Sequence, residues 1–132
     1  MTGQRDLRQL LANLSPTLDQ CPYEFVLREK SPLGDAIESS FALIREEEGF
    51  TVVHRMAEYL VDDEPATDCF ARITLGVHSS LHAIGLTAAV SQALASNYIS
   101  CNVIAGLYHD HIFVPWPRRM DALAAIEALS VL

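Results

Sequence analysis

The sequence predicts an α/β fold, an α+β sandwich with ferredoxin-like lobes, and three observations carry that expectation. Residues 69–77 alternate Cys69, Ala71, Ile73, Leu75 and Val77 with Phe70, Arg72, Thr74 and Gly76, a period of two that marks a strand with one buried face. Residues 81–97 and 118–129 place apolar side chains at helical spacing instead: Leu81, Ile84, Ala88, Leu94 and Ala95 in the first, Met120, Leu123, Ile126 and Leu129 in the second. Finally, residues 41–53 and 102–114 align at an offset of 61 residues, each reading strand, tip and strand, with a helical pattern after it. One supersecondary design is used twice.

The chain opens with Leu7, Leu10, Leu11 and Leu14 at i, i+3, i+4 and i+7, the apolar stripe of a helix that Ser15-Pro16 stops. Residues 23–28 alternate as a strand, and Ser31-Pro32-Leu33-Gly34 turns the chain. The hairpin of 41–46 and 50–55 follows, with Glu47-Glu48-Gly49 at its tip. Met56, Tyr59 and Leu60 suggest a brief helix before the Asp62-Asp63-Glu64-Pro65 cluster, which reads as the boundary between lobes 1–65 and 66–132. In the second lobe the strand at 69–77 leads to His78-Ser79-Ser80, whose hydroxyls suit a helix cap. The helix at 81–97 contains Gly85, which costs about 1 kcal/mol relative to Ala. A hairpin of 101–108 and 111–114 then turns at His109-Asp110, and Pro115 and Pro117 end it ahead of the last helix. Strand, helix, hairpin and helix is the split βαβ pattern of a sheet with helices on one face. That places Ile73, Leu75, Val77, Val103, Ala105, Leu107, Ile112 and Val114 toward the helices. The first lobe lacks a full first helix, the second lacks a closing strand, and strand 23–28 is free to pair into either.

Composition narrows the function. Half of the 132 residues are apolar and 20% are charged, so the chain can bury a core without a staple. No apolar run reaches the roughly 18 residues of a membrane span, and the N-terminal residues lack a signal-peptide layout; the expectation is a cytoplasmic protein. The net charge of −8 is one-sided: residues 1–68 hold 14 acids against 6 Lys/Arg, and residues 69–132 hold 3 of each. With no basic stripe, binding to nucleic acid or an anionic membrane is not expected. Cys21, Cys69 and Cys101 are odd in number and widely spaced, which fits buried free thiols rather than a disulfide framework or zinc knuckle. The Glu46-Glu47-Glu48 run sits on a hairpin tip as a solvated edge.

Three segments make the chain recognisable: Ile73-Thr74-Leu75 with Val77-His78-Ser79-Ser80-Leu81; Ala83 with Gly85-Leu86-Thr87-Ala88-Ala89; and Tyr108-His109-Asp110-His111-Ile112-Phe113-Val114-Pro115. They resemble a small bacterial ACT-domain family, usually labelled DUF2241, with tandem ACT-like units. It is more distantly similar to the regulatory domains of aspartate kinases and to the animal cytosolic arginine sensor. The resemblance implies a degenerate N-terminal ACT-like lobe, a C-terminal ACT domain, no catalysis and no cofactor. It also implies a regulatory role in binding a small molecule, an amino acid in most ACT domains, and a homodimer.

Topology gives a site independently of that name. A right-handed crossover makes the strand at 69–77 parallel to the one at 101–108, so the turn Gly76, Val77, His78, Ser79, Ser80, Leu81 and the tip Tyr108, His109, Asp110, His111 meet at one end of the sheet. The second hairpin strand beside the first brings His111 close to Val77 and His78. A helix starting near Ser80 would direct free amides at a carboxylate, Gly76 would admit a ligand to the backbone, and Asp110 would take an ammonium. Each residue also has a plain role: Ser79 and Ser80 as caps, Asp110 as a turn residue, His109 as a solvated side chain. His78 with His82 and His109 with His111 have spacings that a metal could use, but no metal motif is completed. No nucleophile elbow or phosphate loop is present, so no catalytic residue is assigned. Alternatives to an amino-acid-binding regulator are a structural or protein-interaction module without a small ligand, and a histidine-based metal-binding protein. His54 stands apart from all of these.

Overall fold

A computed structural model describes residues 6–29, 35–56 and 68–131. The predicted turn at 31–34, the brief helix after Met56 and the 62–65 linker lie outside the described residues. In chain order the elements are α1 (Leu7–Ala12), β1 (Pro16–Leu18), β2 (Tyr23–Arg28), α2 (Asp35–Ser39), β3 (Ala42–Glu46), β4 (Gly49–Arg55), β5 (Phe70–Leu75), α3 (Leu86–Ser96), β6 (Asn102–Ala105), β7 (Asp110–Pro115) and α4 (Arg119–Ala128), with 3-10 turns at Trp116–Arg118 and Leu129–Val131 flanking α4. They form two compact units, Met1–Gln20 with Ala71–Leu132, and Cys21–Phe70.

In the unit of Cys21–Phe70, β2 has the bounds its alternation predicts and pairs antiparallel with β4 along its whole length, from Tyr23 opposite Arg55 to Arg28 opposite Phe50. β3 pairs with the other side of β4, so the predicted hairpin is present with its acidic tip. The question of which lobe β2 joins is answered by its six-residue ladder to β4; its pairing with β5 is the single step Tyr23 opposite Phe70. Between first strand and hairpin the described residues hold the five-residue α2, where the other unit has the eleven-residue α3. Tyr23 and Val53, both buried, share one face of the sheet. Phe25 meets Phe70 edge-on at 5.2 Å. His54 bonds Glu24 across the strand pair at 3.1 Å.

In the other unit β5, α3, β6, β7 and α4 follow the split βαβ order. β5 lies beside β7, β7 pairs antiparallel with β6, and α3 packs on α4, which also packs on β7. Ala71, Ile73 and Leu75 are buried on one face of β5; on β7 Ile112, Phe113 and Val114 are buried in succession, as expected of a strand with neighbours on both sides. The missing closing strand is supplied from the N-terminus. β1 runs antiparallel to β5, with Pro16 opposite Leu75 and Leu18 opposite Ile73, and it packs under α4. An ion pair ties it in place, Arg72 Nη2 to Asp19 Oδ2 at 3.1 Å. Ahead of it, α1 is capped by the Asp6 carboxylate, which accepts from the Arg8 and Gln9 amides. Leu10 and Leu14 are fully buried.

Several expectations are corrected. α3 begins at Leu86, not Leu81, because Gly85 caps it at φ +100, a left-handed conformation that a helix interior does not admit. A Cβ there would also meet Leu7 Cδ2 at 3.1 Å. Leu81 and Ile84 therefore lie in a loop and are exposed, Ile84 at 86%. On the hairpin, the strands end at Ala105 and resume at Asp110; Leu107 is in the tip and 65% exposed, and Ala105 is exposed as well, so neither faces the helices. Met120 is 61% exposed while Ala122 and Ile126 are buried; the 3-10 turn at Trp116–Arg118 resets the phase before α4, with Trp116 buried and Arg119 stacked on its ring at 3.9 Å. All three cysteines are free thiols, Cys69 buried and Cys21 and Cys101 half-buried.

Candidate functional site

The turn after β5 and the tip before β7 do meet, within the unit of Ala71–Leu132. Ser79, buried, donates from Oγ to Asp110 Oδ2 at 3.4 Å, and His109 Nδ1 lies 3.3 Å from the Val77 carbonyl, to which it donates. The His78 ring is 5.1 Å from that of Tyr108 and 6.4 Å from that of His109. Gly106 closes the tip: its N–H donates to the His109 carbonyl at 2.9 Å, and a Cβ on it would come within 2.9 Å of that oxygen. His78, Ser79, Tyr108, His109 and Asp110 are thus brought together. Tyr108 is half-exposed, and Leu81 is exposed beside the cluster in sequence.

The histidines meet β5 two residues along β7 from the expected position. His111 lies not at Val77 and His78 but at Thr74, with Nδ1 3.0 Å from Thr74 Oγ1; His109 takes the place by Val77. Going up β7 from 109 to 111 goes down β5 from 77 to 74, which makes these neighbours antiparallel. His111 therefore belongs to the sheet face that carries Arg72, not to the tip. Thr74, Arg72 and Gly106 were missed by sequence reasoning. The alternation does place Thr74 and Arg72 on one face, and glycine in a tip is a turn signal, but the pairing register follows from tertiary contact.

Two parts of the expected chemistry change. Gly76 does bring backbone close, but to the chain itself: its N–H donates to Ser15 O at 3.0 Å, Val77 N–H donates to Leu14 O at 3.2 Å, and a Cβ on Gly76 would lie 2.9 Å from Ser15 O. Nor does a helix terminus start at Ser80. The Ser80 hydroxyl accepts from the His82 amide and the Ser80 carbonyl from the Ala83 amide, closing a local turn that ends before Gly85 caps α3.

Charge in the site is set by burial. Burial pushes the Asp110 carboxyl above its ordinary value of 3.8, and the Ser79 hydroxyl and nearby His109 pull it partly back. Burial also pushes the His111 imidazole below its ordinary value, reinforced by Arg72 and then His109. Among the described residues no three His, Cys, Asp or Glu side chains are placed to hold a metal ion. The histidine pairs are split by their partners, His109 toward Val77 and His111 toward Thr74, with His82 exposed in the loop.

Repeated strand-helix-hairpin units, with a conjunction of loop and tip in one of them, define a small protein of tandem ferredoxin-like units. The sequence matches the ACT domain twice, over residues 2–58 and 66–130, and the chain belongs to the ACT-domain family, with two such domains in tandem. ACT domains are regulatory, ligand-binding modules. Among solved structures, a Vibrio cholerae protein of unknown function, VC0802, described as a possible transport protein, is 40% identical; the match covers 91% of this chain and 93% of that one with a TM-score of 0.73. The Agrobacterium tumefaciens protein Atu0741 shares the fold at 15% identity, with 83% and 84% covered and a TM-score of 0.61. A comparison with curated proteins finds no match. Among the described residues no helix is long and apolar enough to cross a membrane.

Proposed function

We propose that this protein is a non-catalytic, cytoplasmic regulator that binds a small molecule, in the first place an amino acid, where the turn 76–81 meets the tip 108–111 of its C-terminal ACT domain, residues 66–132, beside a degenerate N-terminal one, residues 1–65. The observation that supports this reading is the meeting of Ser79, Asp110, His109 and the His78–Tyr108 pair in one place. A hydroxyl, a carboxylate and half-exposed rings on loops held by a rigid sheet are the usual make-up of a small-ligand site. His78, Ser79, Tyr108, His109 and Asp110 are the binding residues in this proposal; Gly76, Val77, Ser80 and Leu81 complete the turn around them, and His111 stands on the adjoining strand. A homodimer belongs to the same reading, because among the described residues β3 and β6 each pair on one side only and an open sheet edge invites pairing.

A thermal-shift screen against the common amino acids and divalent metals tests it. A ligand at a hundredfold its Kd stabilises by about 2.7 kcal/mol, so one or a few amino acids should raise the melting temperature, and Asp110→Ala should remove the rise. Response to metals alone would replace the reading with the histidine-based one. A second reading, a protein-interaction module without small ligand, is favoured by Leu81, Ile84 and Leu107, all exposed on these loops; it predicts no response to either set.

A further inference from the structure

The chemistry at the turn and tip is one-sided. The segments 76–81 and 106–111 contain no Lys or Arg, and the arginine on the adjacent strand, Arg72, is engaged by Asp19 at 3.1 Å. Two amides that a carboxylate would want are turned inward: those of His82 and Ala83 donate to Ser80. The Ser79 hydroxyl donates to Asp110. What the cluster does offer is a half-buried carboxylate held by the Ser79 hydroxyl at a long 3.4 Å, beside a ring pair 5.1 Å apart in which Tyr108 is half-exposed. A carboxylate next to an exposed aromatic face is chemistry for a cation, by charge-assisted hydrogen bonding and by attraction to the ring quadrupole.

Resting on the proposed binding site, we infer that the ligand's cationic end is what this site recognises: a primary ammonium set between the Asp110 carboxylate and the His78–Tyr108 rings, with the ligand's own carboxylate dispensable. The class of ligand is therefore organic amines, of which amino acids are one kind. Burial has already raised the proton affinity of Asp110, so a cation arriving there offsets a charge the fold desolvates.

The test uses the full chain and three matched series, each an amino acid, its decarboxylated amine and its deaminated acid: leucine, isopentylamine and 4-methylpentanoate; phenylalanine, phenethylamine and 3-phenylpropanoate; lysine, cadaverine and 6-aminohexanoate. Titration calorimetry should give amine affinities within about tenfold of the matching amino acid, and no binding of 4-methylpentanoate or 3-phenylpropanoate. Asp110→Asn keeps the shape and should weaken amine and amino acid alike, roughly ten- to a hundredfold, the range of a hydrogen bond to a charged group. Tyr108→Leu should weaken both several-fold, and Glu47→Gln, on the other unit's hairpin tip, should change nothing. Amino acids that bind while their amines do not would overturn this inference and leave the proposed function standing, whereas unchanged affinity in Asp110→Asn would overturn the inference and the proposed site together. Amines that bind where no amino acid does would support the inference and replace amino acids as the ligand. Silence from all nine compounds would overturn both.

Discussion

Replacing Gly76 by alanine separates two reasons for a glycine at the end of β5. A Cβ at this position would sit 2.9 Å from Ser15 O and 3.1 Å from Ser15 Cβ, closer than real Cβ atoms come to a carbonyl oxygen. The oxygen cannot simply withdraw, since it accepts the Gly76 N–H at 3.0 Å and the next bond, Val77 N–H to Leu14 O, is one residue away. Relief must come from shifting the segment that carries β1 off β5. Overpacking of this kind costs about 1–3 kcal/mol, a sizeable part of a total stability of roughly 5–15 kcal/mol. Urea unfolding reads the loss directly, and hydrogen exchange localises it: the Gly76 and Val77 amides should exchange faster in Gly76→Ala, ahead of those in β6 and β7. If stability changes by less than about 0.5 kcal/mol, the range of an indifferent surface change, the close approach of Ser15 is not what requires glycine, and the account of how β1 closes the sheet fails with it.

Three further outcomes follow from the same structure. Asp19→Ala should cost about 1–3 kcal/mol, the loss of a charge-assisted hydrogen bond in a largely screened site where the Arg72 side chain is 20% exposed; urea unfolding checks it, and a cost near zero refutes the role of the pair in holding β1. Ile126→Ala should cost about 2–5 kcal/mol as a core truncation, whereas Met120→Ser should be nearly neutral; the reverse order would put α4 in the phase that its sequence pattern suggests. The two titrations have opposite signs. With the folded His111 pKa below its unfolded value of 6.5, the unfolded chain binds the proton first, so this contribution to stability is lost as pH falls from about 6.5 through the lowered value, and His111→Gln should flatten that slope. With the folded Asp110 pKa above 3.8, its contribution declines as pH rises from 3.8 to the raised value, so Asp110→Asn should gain on the parent between acid and neutral pH. Unfolding curves across this range decide both.

What could be read in the sequence is what a local period determines. β5 alternates cleanly because one of its faces is buried and the other is not, and the two hairpins repeat at a constant offset because each is one continuous strand-tip-strand unit. What could not be read depends on partners distant in sequence. β1 is three residues long and follows Ser15 at φ +47; its sequence signal is a proline that reads as a helix stop, and only the vacant side of β5 makes it a strand. Leu81 and Ile84 carry a helical spacing into a loop because spacing does not register the backbone conformation that Gly85 adopts. Met120 shows the same limit on α4, where a 3-10 turn shifts which side faces inward.

The meeting of the turn and tip was legible from the crossover rule, since parallel strands joined by a helix put those ends together. Which histidine meets which residue was not, for a displacement of two residues along β7 moves a side chain from the tip to the sheet: His109 came to Val77 and His111 to Thr74. The amide-lined helix terminus was expected where hydroxyls precede an apolar stripe, and Ser80 does cap backbone, but of a local turn. That difference is the ground on which the ligand proposed for this site is a cation rather than an anion.

The most direct test of the account is a titration of isotope-labelled protein, followed by amide resonances, with the amino acid or amine that gives the largest thermal shift. The account predicts saturable shifts concentrated at residues 76–81 and 106–111, absent in Asp110→Asn, with the amides of β2, β3 and β4 unmoved. Shifts concentrated on the Cys21–Phe70 unit, with 76–81 and 106–111 unchanged and Asp110→Asn binding as the parent does, would contradict it.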